Sequence, residues 1–229
     1  KKNKPVLALQ GRLVAFIGFL NIVSSCFSPI SLLLLKREYM EIVFATGNAH
    51  KISEVSELLP EGIRLIGLPE IGCPTDLPET SDTIPGNALQ KARYVYEHFG
   101  VNCFAEDTGL EVYALHGEPG VYSARYAGDD KDPAANTRKL LDKLAAHSDR
   151  SARFRTVIAL ILEGREYLFE GIVEERIAET PAGDGGFGYD PVFVPEGETR
   201  SFAQMSNKEK GRISHRGRAV VKLLDFFQS

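Results

Sequence analysis

The run Phe104-Ala105-Glu106-Asp107-Thr108-Gly109-Leu110 brings two adjacent carboxylates out of an apolar stretch into a Thr-Gly turn. A carboxylate placed there can take a proton from water and help hold a hard divalent cation, which is the chemistry of metal-assisted hydrolysis. An acidic pair after a strand also serves as an ordinary turn or helix cap, so it decides nothing alone. Three other segments give it partners. They are Thr46-Gly47-Asn48-Ala49-His50-Lys51, Gly185-Gly186-Phe187-Gly188-Tyr189-Asp190-Pro191 and Ser214-His215-Arg216-Gly217.

Each segment has its own chemistry and its own plainer explanation. Thr46-Gly47-Asn48 lies between a β-rich run, Glu41-Ile42-Val43-Phe44-Ala45, and a helix expected over 51–59 from the spacing of Ile52, Val55, Leu58 and Leu59. Free backbone N–H groups and the positive helix end favour phosphate oxygens at such a turn, although Asn48 as a simple N-cap explains the same residues. No Walker lysine motif and no Gly-x-Gly-x-x-Gly follows a strand, which argues against a P-loop or dinucleotide domain. The glycines before Phe187 let the backbone approach a flat ligand on which Phe187 or Tyr189 offers a ring, whereas most such segments are only loops. Lys91, Lys210 and Arg216 offer the positive charge a polyphosphate needs, and each taken singly reads as a solvated charge. Ser214 can also N-cap the last helix.

The elements that must position these residues follow from periodicity and turn chemistry. A second strand is expected over 64–68, a turn-rich surface loop carrying Glu79 over 69–85, a helix over 87–99, and a buried strand over 101–105 that ends at the acidic pair. A helix is expected over 134–146, and two long strands over 153–163 and 166–179 joined at Glu163-Gly164-Arg165. The loop 183–188 and a helix over 214–227 complete the chain. Helices alternating with isolated and hairpin strands predict an α/β protein with a mixed sheet.

The chain has 229 residues, 43% of them hydrophobic and 25% charged, enough for one domain with a substantial core or two small lobes around a cleft. A formal net charge of −4 gives no general attraction to a nucleic-acid backbone, so a polyanionic small molecule must be held by a local cluster of Lys and Arg. Cys26, Cys73 and Cys103 have no metal-ligand spacing and read as reduced thiols, which suits a cytoplasmic protein. Residues 13–35 carry no charge and are long enough to span a bilayer, yet Asn21, Pro29 and several serines break the stretch. No clean small-x-small cleavage site precedes Met40, which weakens a signal sequence. We expect 1–39 to be an apolar N-terminal extension upstream of the true start at Met40, 40–229 to be the functional domain, and no membrane partner.

The four segments, in this order and at this spacing, resemble the inosine/xanthosine triphosphate pyrophosphatase family, whose members remove deaminated purine nucleotides from the nucleotide pool. Pro119-Gly120-Val121-Tyr122-Ser123-Ala124-Arg125-Tyr126 and Asn87-Ala88 with Lys91 also fit, and the resemblance runs from about Met40 to the end. It implies an α/β fold of two lobes around a mixed twisted β-sheet, with a nucleotide-binding cleft between them. It implies that Thr46 through Lys51 (Thr46, Gly47, Asn48, Ala49, His50, Lys51) grip a triphosphate, with Lys91, Thr108 and Lys210 also contacting the nucleotide. Glu79 and Asp107 would hold Mg2+, with Asp107 activating water and Glu106 supporting metal or water. Pro78 stands where some members carry a second acidic residue.

The resemblance further implies a base pocket built from Phe187, Gly188, Tyr189 and Asp190 and closed by His215 and Arg216. A donor from His215 or Arg216 to the 6-oxo group of hypoxanthine or xanthine would reject adenine, and a pocket without an acceptor for the 2-amino group would penalise guanine. The expected substrates are ITP, dITP and XTP, and the expected assembly is a homodimer. The alternatives are a membrane-tethered nucleotide sensor, which has no need of a water-activating carboxylate, and a related pyrophosphatase for modified pyrimidine nucleotides.

Overall fold

The computed structural model describes residues 40–228. The expectations for 1–39, and Cys26 with them, lie outside the described residues. Strand β1 (Met40–Phe44), helix α1 (Ala49–Leu58) and strand β2 (Ile63–Ile66) open the fold with bounds shifted by a residue or two from those predicted. Helix α2 (Ile84–Phe99) starts inside the expected loop, because the Thr83 hydroxyl accepts the Gly86 N–H as N-cap and Pro85 suits the first turn. The end of the expected second strand and the start of that loop, Leu68–Ile71, form a short 3-10 turn.

Strand β3 (Cys103–Val112) is the main departure from the sequence reading, which ends it at 105 and places the acidic pair in a turn. Strand β5 (Ser151–Leu162) pairs with it antiparallel from Cys103 opposite Ile161 to Val112 opposite Ala152, and that ladder carries the chain straight through Glu106 and Asp107. Side chains alternate along a strand. Asp107 therefore shares a face with Cys103 and Ala105, and Glu106 shares the opposite face with Phe104 and Thr108.

Strand β6 (Arg165–Ile177) returns from β5 through Glu163 and Gly164, whose φ values of 50° and 76° match a primed hairpin turn. Two short strands were not anticipated: β4 (Pro119–Gly120) on β3, and β7 (Phe193–Pro195) on β6. The sheet runs β2-β1-β3-β5-β6-β7 with β4 off this path, parallel at the β2-β1-β3 end and antiparallel beyond, hence mixed.

Three apolar cores flank the sheet. Helix α2 covers one face, with Ala88, Ala92 and Val95 against Val43, Ala105 and Ala159. Helices α1 and α5 (His215–Gln228) cover the other, with Val55, Ala219 and Leu223 against Phe44, Phe104 and Ile158. Farther along the long strands, Leu110, Phe154 and Val173 pack with Leu140 and Leu144 of helix α3 (Pro133–Leu144) and with Phe193 and Phe202. Residues 106–109 belong to none of these cores. A polar stretch of β3 thus lies between two apolar bodies that share its strands, in keeping with the two-lobed α/β arrangement.

The single helix expected over 214–227 is preceded by helix α4 (Asn207–Ile213), started by a capping box between Ser206 and Glu209. Ser214 ends α4, and its hydroxyl accepts the Gly217 N–H at 3.0 Å, serving the first turn of α5. Helix α5 then crosses β6 at Gly171, where an added Cβ would stand 2.0 Å from the His215 carbonyl oxygen and 2.6 Å from the Ala219 nitrogen. Gly171→Ala is expected to lift α5 and lower stability by about 1–3 kcal/mol, the usual cost of overpacking. An unchanged urea midpoint would show that the helix adjusts without cost.

Candidate active site

β1 leaves the edge of β3 after Phe44, opposite Phe104, and β4 joins only at Leu110. Asp107 sits in the gap between them, 8% exposed, on the face covered by α2. Asn87 Nδ2 donates to Asp107 Oδ2 at 3.4 Å and Lys91 Nζ lies 3.5 Å from Oδ1. The Lys91 ammonium also donates to Glu79 Oε1, so one cation spans the two carboxylates that the sequence reading paired. Burial pushes the Asp107 carboxyl up in pKa, against the pull of Lys91 and Lys51. Burial also opposes the charge on Glu79, but Lys91 outweighs it and the carboxyl titrates below its ordinary range.

Two carboxylates converging on one positive charge suit a hard divalent ion that takes few protein oxygens and completes its shell with water and substrate phosphate, as magnesium does. Among the described residues no group of three or more His, Cys, Asp or Glu side chains surrounds a metal-sized point. Glu79 and Asp107 are the residues that fit.

Glu106 faces the other way. Arg216 Nε donates to both its oxygens at 3.0 and 2.8 Å, Arg216 Nη2 to Oε1 at 2.7 Å, and Lys51 Nζ lies 3.2 Å away. Burial alone would raise its pKa; Arg216 and Lys51 override that and hold it down to about 2. Adjacency in sequence has put the two acids on opposite faces, and Glu106 belongs with the cations of α1 and α5.

Sequence reasoning missed Glu54. This carboxylate on α1 is 9% exposed, accepts Lys210 Nζ at 2.6 Å, and also accepts Arg216 Nη1. Lys210 Nζ donates on its other side to Asp190 Oδ2 at 2.6 Å. The lysines and arginine expected to meet phosphate or base are thus each held by protein carboxylates, because a buried ammonium or guanidinium without a counter-charge is too costly. The available signal was the spacing of Glu54 from Lys51, one helical turn, at the margin of the apolar stripe.

At the front turn, Asn48 Oδ1 accepts the N–H groups of His50 and Lys51 at 3.0 and 3.2 Å, and Thr46 Oγ1 accepts the Asn48 N–H at 3.2 Å. Asn48 is the N-cap of α1, Gly47 precedes it and Ala49 begins the helix. The exposed His50 ring leaves the turn and stacks on Phe187, with centroids 5.1 Å apart. The Phe187 ring also lies 5.0 Å from Lys210 Nζ and 5.5 Å from Arg216 Cζ. Tyr189 is a core residue whose hydroxyl donates to the Ser123 carbonyl at 2.9 Å, so of the two candidate rings Phe187 is the one facing the charged cluster.

Asp190 Oδ2 accepts the Phe187 N–H at 2.7 Å and ties this loop to Lys210, while the Gly188 carbonyl accepts Thr137 Oγ1 at 3.5 Å. A cavity of about 680 Å³ opens beside it, lined by His50, Phe187, Gly188 and by Thr137, Arg138 and Leu141 of α3. Thr108 Oγ1 lies 2.6 Å from Thr156 Oγ1 and accepts Arg216 Nη2 at 3.4 Å. His215 is buried with its ring stacked on Phe154, and its Nδ1 has no hydrogen-bond partner among the described residues. Burial first, then Arg216 and Lys210, push its pKa well below the usual imidazole value.

A model of the Ham1 family matches residues 42–226. The chain belongs to the Ham1 family. Over 186 residues, 81% of this chain and 97% of the relative, it is 52% identical to a dITP/XTP pyrophosphatase of Flavobacterium johnsoniae. It is 54% identical over 187 residues to a protein of the same name from Christiangramia forsetii, covering 82% and 98%. The solved structure of the Staphylococcus aureus Ham1 protein superposes with a TM-score of 0.75 at 40% identity, over 82% of this chain and 98% of that one. Asp107, Lys51 and Arg216 all lie inside the matched region of this Ham1 family chain.

Proposed function

We propose that the protein hydrolyses the α–β phosphoanhydride of deaminated purine nucleoside triphosphates, dITP, ITP and XTP, to the nucleoside monophosphate and pyrophosphate. The observation that carries this reading is the back-to-back pair on β3. Asp107 meets Glu79 through Lys91 on one face, and Glu106 anchors the Arg216–Glu54–Lys210 cluster beneath Phe187 on the other. One strand thereby aligns a water-activating end and a base-reading end. The Flavobacterium and Christiangramia relatives, both dITP/XTP pyrophosphatases, support dITP and XTP as substrates.

In this reading Asp107 accepts the proton of the attacking water, whose oxygen bonds to the α-phosphorus as the α–β bond breaks and pyrophosphate leaves. Glu79 and Asp107 would hold magnesium, which when bound would supply positive charge against the phosphates and acidify water. Lys91 stays beside both carboxylates and adds a positive charge against the phosphates. Lys51 and the start of α1 face the phosphates beyond the first. Phe187 offers its ring to the purine, and Arg216 keeps one Nη1 hydrogen beyond its bonds to Glu54, Glu106 and Thr108 for the 6-oxo oxygen. Adenine presents an amino donor at that point and is rejected. The reading includes a homodimer acting in the cytoplasm, to be tested by sedimentation equilibrium and cell fractionation. Among the described residues no helix is long and apolar enough to cross a membrane.

Hydrolysis of dITP in oxygen-18 water tests the bond that breaks. Label in the monophosphate is expected; label in the pyrophosphate would place the attack elsewhere. Lys51→Ala is expected to weaken triphosphate binding by about tenfold or more, a charge-assisted contact of about 1.5–3 kcal/mol, while monophosphate binding changes little. Equal loss for both ligands in calorimetric titrations would remove Lys51 from the outer phosphates.

A further inference from the structure

The front of α2 carries a set of side chains that no step above uses. Gln90 binds Thr80 at two points, its Oε1 accepting the Thr80 N–H and its Nε2 donating to Thr80 Oγ1, both at 2.8 Å. Asn87 is 1% exposed and its amide is spent in two directions: Oδ1 accepts the Ser81 N–H at 2.8 Å, and Nδ2 donates to Asp107 Oδ2 at 3.4 Å. At Gly86 an added Cβ would stand 1.9 Å from Ser81 Oγ, so residues 79–83 lie directly against this part of the helix. Asn87, Gln90 and Lys91 stand at i, i+3 and i+4, which places them on one helix face. Through that face they reach three consecutive loop residues, Ser81, Thr80 and Glu79, and two of them reach Asp107 as well.

We infer that Asn87 and Gln90 are positioning residues that lock the Glu79–Ser81 segment to Asp107, setting the separation of the two acids before any ligand arrives. The loop has no regular structure of its own from 72 to 83, so without these bonds Glu79 would be held by its ion pair with Lys91 and by the long 3.4 Å bond from Arg125 Nη2 to its carbonyl. Asn87, like Lys91, touches both sides, and it does so with an uncharged amide. Its backbone-facing oxygen fixes the loop, and that bond aims its amide N–H at the Asp107 carboxylate. Outer residues of this kind, which orient ligands without touching the cation, commonly change metal affinity or activity by about 10–100-fold when removed.

The inference rests on the reading of Glu79 and Asp107 as magnesium ligands, and the parent's own dependence on magnesium decides that reading separately. Gln90→Ala and Asn87→Ser are compared with the parent by three measurements: kcat and KM for dITP, the magnesium concentration for half-maximal rate, and amide hydrogen exchange at residues 80 and 81 without ligand. Gln90→Ala is expected to speed exchange at residue 80 and raise the magnesium requirement by about tenfold. Asn87→Ser is expected to speed exchange at residue 81 and to lower kcat by about 10–100-fold with KM within a few fold. Asn87→Asp restores the acceptor for Ser81 but not the donor to Asp107, and is expected to recover exchange protection at 81 without recovering kcat. Unchanged magnesium requirement in Gln90→Ala, or faster exchange in both variants with parental kcat and magnesium requirement, would overturn the inference. Should Asn87→Ser fail to fold, the half-buried Gln90 carries the test alone.

Discussion

Asp107→Asn lowers kcat for dITP by about a hundredfold or more, the contribution typical of a positioned general base, while a non-hydrolysable triphosphate analogue still binds. The argument rests on what the substitution keeps. Asn is nearly isosteric, and the site is buried, so the neutral amide relieves the desolvation that pushes the carboxyl's pKa up. Lys91 keeps its bond to Glu79. The amide cannot accept from Lys91 and Asn87 with both of its atoms as the carboxylate does, so one hydrogen bond is lost and stability falls by about 1 kcal/mol. Turnover within a few fold of the parent would mean that another group takes the proton, and a collapse of analogue binding would mean that Asp107 serves binding more than chemistry.

Arg216→Ala has the largest expected effect on stability. It leaves Glu54 and Glu106 buried with Lys210 and Lys51 as their remaining cations, and breaking a buried pair from one side costs about 3–5 kcal/mol. Against a typical total of about 5–15 kcal/mol, that moves the urea midpoint far. The pH dependence has a definite sign. Glu106 is held down to about 2 from an ordinary 4.5, so the stabilisation it gains from Arg216 is complete above about 4.5 and is lost as pH falls toward 2. The difference between parent and variant should narrow over that window. A loss under about 1 kcal/mol at neutral pH would show that water or the lysines replace the guanidinium. Below the melting temperature, the dITP-to-dATP ratio of kcat/KM should also fall about tenfold, because dATP never used the bond to the 6-oxo oxygen. Arg216→Lys keeps the charge without the planar fork and should recover stability more than selectivity. A preserved ratio in both variants would assign Arg216 to the fold.

Local chemistry made much of this legible. Asn48 acts as the expected cap, the hairpin turns at Glu163-Gly164, and Ser214 supports the start of the last helix as read. What escaped depends on residues distant in the chain. Glu106, Asp107 and Gly109 have weak strand preference, and pairing with β5 carries β3 through them. Once it does, alternation separates the two acids, a consequence invisible when they are read as a turn. Glu54 looks like a helix surface carboxylate until Lys210 and Arg216 reach it from 156 and 162 residues away. Tyr189 and Phe187 are equal as sequence candidates. The Ser123 carbonyl that accepts the Tyr189 hydroxyl, 66 residues away, fixes which ring faces the cluster. The start of α4 was within reach, since Ser206 followed by Glu209 is a capping-box pattern.

Pyrophosphate release from a panel of triphosphates, each with and without magnesium, tests the central claim most directly. The panel is dITP, ITP, XTP, dATP, GTP and dCTP, and initial rates give kcat/KM for each. The account predicts magnesium-dependent release from the three deaminated purines at values about a hundredfold above those for adenine and pyrimidine nucleotides, because only 6-oxo purines offer the site's donor its acceptor, with guanine also disfavoured because its 2-amino group finds no acceptor. Equal rates across the panel, or preference for the pyrimidine, would contradict it.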